Sequence, residues 1–84
     1  MKPIRLSAHA REQLQFRGAT EDEVMEAIKT ATWEVAESGR QECKKDFSFA
    51  TQWNNKYYMT KQVRPIFVEE DKEIVVITVY TYFF

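Results

Sequence analysis

Cysteine, glycine and proline are all scarce in this chain: of 84 residues one is cysteine, two are glycine and two are proline. The lone Cys43 excludes an internal disulfide, and no Cys/His cluster has zinc-site spacing. With so few glycines there is no Gly-rich loop to cradle a nucleotide phosphate, and no nucleophile elbow. No apolar run is long enough to span a bilayer and no secretory core segment is visible, so the expectation is a soluble, cytoplasmic protein without a membrane partner. Repeats, linkers and low-complexity stretches are absent too. A chain of this length predicts a single domain, residues 1–84, near the size at which one core is only just sufficient. Cys43 itself reads as a small buried hydrophobe; a reactive thiolate would need a neighbouring cation or helix N-terminus.

An excess of either charge is also lacking, since the formal net charge is −1. Its distribution is uneven. Residues 1–39 carry five basic and seven acidic side chains, residues 40–64 six basic against Glu42 and Asp46, and the remainder Lys72 against four acids. The middle of the chain is therefore locally basic, either a solvated face or an attraction for polyanions.

What is present is a strong pattern. Ser7 stands at an N-cap position, Ala10 and Leu14 follow at helical spacing, and Gly18 is placed as a C-terminal cap, which predicts a helix over 7–17. Thr20 and Glu23 make a capping box, with Glu21, Asp22 and Glu23 in the first turn of a second helix whose apolar stripe is Val24, Ala27, Ile28 and Ala31. From Trp33 the period changes to two. Strands are expected over 32–37 and 40–47, separated by a Ser38-Gly39 turn, with Cys43 and Phe47 toward the core. Residues 48–56 have few regular signals; Asn54, Asn55 and Lys56 mark a turn into a longer strand from Tyr57. Pro65 cannot donate to a ladder, so that strand is at an edge there or interrupted by a bulge. After a polar turn over 69–72 comes the last strand, in which Val75, Ile77 and Val79 are expected to face the core and Ile74, Val76, Thr78, Tyr80 and Tyr82 the other side. Two helices followed by strands predict an α+β fold, both helices packed on one face of a mainly antiparallel sheet. The other face is where function is expected. Trp33 and Trp53 read as apolar anchors, with an interface role the alternative for Trp53.

Ser7-His9-Ala10 leading a helix, Arg17-Gly18 ending it, Thr20 with Glu23-Val24 opening the next, and the terminal Val76-Ile77-Thr78-Val79-Tyr80 together resemble a bacterial domain family of unknown function. That family is similar to the RelE/ParE-like toxin superfamily. The resemblance implies a RelE-like fold, a metal-independent endoribonuclease (an mRNA interferase of a toxin-antitoxin pair) that needs no cofactor, RNA taken free or on the ribosome, and an antitoxin partner, in some relatives of zinc-finger and helix-turn-helix type. Because most matching positions are caps and core, it speaks to fold more than to activity.

Such chemistry uses the ribose 2′-hydroxyl as nucleophile and asks the protein for a base, an acid and cations. His9 is the one side chain whose ordinary pKa is near neutrality, and it reads either as acid/base or as a structural histidine. Carried over from the resemblance, Arg40 and Arg64 stabilise phosphate, Tyr80 or Lys61 donates a proton, and Gln62 joins them. Alternation places Arg40 and Lys44 opposite Cys43, Gln62 and Arg64 opposite Val63, and Tyr80 and Tyr82 opposite Val79, so Lys44, Gln62 and Tyr82 are candidate RNA-binding residues on the uncovered face. Lys61 falls on the core side unless a bulge near Pro65 changes the phase. The acidic run 69–71 reads as a solvated turn, leaving no metal site. The slightly acidic chain departs from the strongly basic toxins of the superfamily. The alternative is a noncatalytic interaction module, or an inactive toxin relative, using the aromatic face or C-terminal strand, with homodimerisation through that end a further possibility.

Overall fold

Ser7 does start the first helix. In the computed structural model, which describes residues 1–84, its hydroxyl accepts the amide of Ala10 at 3.1 Å, and α1 runs Ala8–Arg17 after a short strand β1, Ile4–Leu6. Gly18 ends the helix in the left-handed region, φ 70°, donating its N–H to the Leu14 carbonyl. A side chain there would be strained twice over, because the Trp53 ring lies 2.9 Å from where a Cβ would stand. The helix α2, Glu21–Thr30, opens with the full capping box: Thr20 and Glu23 each accept the other's backbone N–H. Val24, Ala27 and Ile28 form its buried stripe.

The remaining strands are β2 (Glu34–Val35), β3 (Gln41–Glu42), β4 (Lys45–Trp53), β5 (Lys56–Glu69) and β6 (Ile74–Phe83). They form one six-stranded sheet in the order β1-β6-β5-β3-β2, with β4 also on β5. Only β1 with β6 is parallel. This is the α+β arrangement expected, two helices before a mainly antiparallel sheet, with Leu14, Val24, Ile28, Val63, Phe67 and Val79 in the core between them. Each of those larger side chains contributes about 1.5–3 kcal/mol by burial. No helix is long and apolar enough to cross a membrane.

Three local departures from the sequence expectation have physical causes. The strand expected over 32–37 shrinks to two residues, and at its far end Glu37 is taken up with Ser38 and Gly39, both at positive φ, 59° and 73°, in a single 3-10 turn over Glu37–Gly39. The strand expected over 40–47 breaks at residues 43 and 44, opposite Pro65. Pro65 accepts the Cys43 N–H, so its backbone faces that side and has no N–H to return. Pro65 is thus tolerated in a central strand where its neighbour parts into β3 and β4. The segment over 48–56 is regular after all: β4 continues to Trp53 through a bulge at Ala50 (φ 47°), and Asn54-Asn55, both left-handed, close a two-residue hairpin.

The last strand corrects a face assignment. Ile66 pairs with Thr78 but Phe67 pairs with Val76, so Ile77 is an extra residue in β6. That bulge flips the phase: Ile74 and Val76 join Val79 in the core cluster, Ile77 is only partly buried, and Val75, though still buried at 7%, lies outside that cluster. Beyond its three pairs with β1, the outer edge of β6 is covered by α1. The Ser7 N–H donates to the Val76 carbonyl at 2.9 Å, Gln13 Oε1 accepts the Val79 N–H at 3.2 Å, and the Thr81 hydroxyl donates to the Arg17 carbonyl. The Ser7 backbone and the Gln13 side chain do there what a neighbouring strand would do, and the Thr81 bond brings the end of α1 to the rim of the open face.

Candidate functional site

Once the bulge has reset β6, Tyr80 and Tyr82 stand on the face away from the helices, directly across from Arg64 and Gln62 of β5. Arg40, leaving the 3-10 turn, and Glu42 of β3 complete the wall. Arg40, Glu42, Arg64, Tyr80 and Tyr82 line one cleft of about 610 Å3, together with Val35 and Glu37. A smaller hollow of about 330 Å3 continues from it past Lys44 and Gln62.

Arg64 is the hub. Its Nε donates to Glu42 Oε2, its Nη1 donates to the Tyr82 hydroxyl at 3.1 Å, and its Cζ lies 5.8 Å from the centre of the Tyr80 ring. The Glu42 hydrogen bond, then that of Tyr82, holds the guanidinium more firmly charged than usual. Reciprocally, the Arg64 hydrogen bond holds the Glu42 carboxyl below the ordinary carboxylate range. Arg40 and Lys44 are exposed and take part in none of the six ion pairs. Gln62 donates to Asp46 at 2.9 Å.

Two candidates stand apart from this group. Lys61 lies on the helix-covered face, as alternation alone requires, and only 6% of it is exposed. Its Nζ is 2.8 Å from Glu23 Oε1, donates to the Gly18 carbonyl at 2.9 Å and sits over the Phe49 ring. The bulges at Ala50 and Ile77 lie in the partner strands, so the phase of β5 at Lys61 is unchanged. His9 is exposed in the first turn of α1, lines neither hollow and makes no side-chain hydrogen bond, so the structural histidine bonded to nearby backbone is not found. Cys43 is buried, and burial followed by the Glu42 charge pushes its thiol up to about 11, which leaves no thiolate at neutral pH. Trp33 is an anchor, its Nε1 donating to the Ile28 carbonyl at 2.8 Å and its ring edge-on to Phe67. Trp53 is one too, stacked on Phe83 under Gly18.

Arg17 is the residue that local sequence reading missed. From the end of α1 its Cζ reaches 5.3 Å from the Tyr80 ring centre. Nothing local marks that role, because 62 residues separate the two. Glu37 is a second such residue, a carboxylate lining the cleft outside every ion pair. The cleft therefore collects guanidinium groups for phosphate, phenols for stacking or proton donation, and a carboxylate to accept a proton. No family model, curated protein or solved structure matches the chain.

Proposed function

We propose that the chain is a toxin-like RNA-binding domain of the RelE/ParE-like kind, a metal-independent endoribonuclease acting in the cytoplasm and held off by an antitoxin. The observation that supports this reading is the meeting of Arg40, Arg64, Tyr80 and Tyr82, drawn from three separate segments, in one solvent-open cleft. In this reading Arg40 and Arg64 bind the scissile phosphate and its developing charge. Glu37 takes the 2′-hydroxyl proton as the 2′-oxygen bonds to phosphorus, and Tyr80 gives a proton to the departing 5′-oxygen. The products are a 2′,3′-cyclic phosphate and a 5′-hydroxyl. Lys61 has no part in these steps, being committed to Glu23 on the other face.

The test is growth of a bacterial host after induction of the chain alone, beside an R40A/R64A/Y80F variant of equal solubility. Arrest by the wild type, relieved in the variant, together with RNA fragments ending in cyclic phosphate, is the expected result. Unimpaired growth with abundant soluble wild type sinks the ribonuclease reading. A noncatalytic interaction module then takes its place, favoured by one observation: β4 has no neighbouring strand on its outer edge, and Tyr57, Met59 and Phe84 are exposed beside its hairpin.

A further inference from the structure

Tyr80 is flanked on two sides. Arg64 approaches its ring from β5, on one side of β6, while Arg17 approaches from α1, which covers the opposite edge of that strand. A ring with two guanidinium groups within about 6 Å of its centre is already engaged, although 37% of the residue is exposed. It holds two cations that would otherwise repel, through the negative potential of its π faces. The centroid distances of 5.3 and 5.8 Å put the two guanidinium carbons at most about 11 Å apart, close enough to engage two phosphates of one strand. Both cations have donors to spare. Arg17 takes part in none of the six ion pairs, and Arg64 spends Nε on Glu42 and Nη1 on Tyr82, leaving Nη2 unpaired.

We infer, building on the RNA-binding reading above, that Arg17 and Arg64 form a two-point clamp for two phosphates of one RNA strand, with Tyr80 as the spacer that sets their separation. The bases of the bound strand then stack on Tyr82, which is as open as Tyr80 (43% against 37% exposed) but has no guanidinium over its ring. Beside the proton donation proposed above, which needs its hydroxyl, Tyr80 thus has a positioning role in binding that depends on its ring alone.

The measurement is the affinity of a fluorescein-labelled single-stranded oligouridylate across a salt series, for wild type and the variants R17A, Y80L and Y80F, each matched to wild type in its urea midpoint. R17A is expected to weaken binding about tenfold at low salt and to lower the salt slope by about 0.7, one phosphate contact on a single strand. Y80L keeps every charge yet is expected to lose about as much affinity as R17A, and Y80F, which keeps the ring, is expected to bind as wild type does. Failure of the wild type to bind the oligonucleotide at low salt overturns the RNA reading itself and the clamp with it. Binding by wild type with R17A unaltered, with Y80L equal to wild type, or with Y80F as weak as Y80L, overturns the clamp alone. Displacement of the oligonucleotide by a polyglutamate peptide as readily as by unlabelled RNA overturns its selectivity for phosphate.

Discussion

Lys61 and Arg64 are neighbours on one strand, each paired with a glutamate, and they face opposite sides of the sheet. The side chain of Lys61 is 7% exposed and that of Arg64 32%. Under the helices, Lys61 meets Glu23, the Gly18 carbonyl and the Phe49 ring, and Glu23 is in turn bound into the cap of α2. Every group there has a fixed partner, so that pair ties β5 to the corner between the helices and leaves no room for a ligand. Arg64 has its partners at the mouth of a cleft and one nitrogen unspent. The two carboxylates are equally exposed, at 21%, so the difference lies in the cations: the walled-in Lys61 is structural, whereas a phosphate arriving from water can reach Arg64 and replace its carboxylate.

The largest effect that sharpens this contrast is on stability. Lys61→Ala removes a buried side chain and takes the donor from the Gly18 carbonyl and the cation from Glu23, and is expected to destabilise the fold by about 2 kcal/mol. Arg64→Ala, which removes a cation already partly open to water, is expected to cost less than about 1 kcal/mol. Urea unfolding of both variants decides the matter. Equal losses would break the distinction between the two faces.

That contrast was partly visible in the amino-acid order. Caps are local, so Ser7, Gly18 and the Thr20–Glu23 box were legible from a few neighbouring letters, and strict alternation already put Lys61 and Arg64 on opposite faces. Bulges are not local. The extra residue at Ile77 depends on how β6 registers against β5, and it exchanged the core positions within a run of Val and Ile that any phase would fit. The break in the strand expected over 40–47 likewise depends on Pro65, which lies in another strand. In the cleft, Arg40, Arg64 and Tyr80 could be gathered from alternation, since each lies opposite a marked core residue. Arg17 could not. Its helical spacing after Leu14 suggests only the inner stripe of α1, and the contact with Tyr80 exists because α1 replaces a strand along the edge of β6.

A smaller effect tests whether Arg64 is exchangeable. If Glu42 occupies the place that a phosphate takes, Glu42→Gln weakens the competitor while keeping the shape of the side chain. It is expected to tighten binding of a single-stranded oligonucleotide by about threefold to tenfold, with the urea midpoint little changed. Weaker binding by this variant would mean that Glu42 positions Arg64 for its ligand, and the open pair would then resemble the covered one.

The smallest effect is the acid limb of stability. The folded value of Glu42 lies below its ordinary one, so the folded state binds the proton less readily than the unfolded chain does. Its contribution is complete above the ordinary carboxylate value and is lost as pH falls through the depressed folded value. Half open to solvent, the pair is worth less than about 1 kcal/mol in this window. The exposed Arg5–Glu73 pair also depresses its carboxylate and acts in the same direction, so Glu42→Gln should flatten the acid limb without abolishing it. The difference between wild type and variant, followed by urea unfolding from neutral pH down through the carboxylate range, isolates Glu42. A difference that stays constant with pH would mean that the Arg64 pair adds nothing to the fold, and that the whole value of the contact lies in where it holds Arg64.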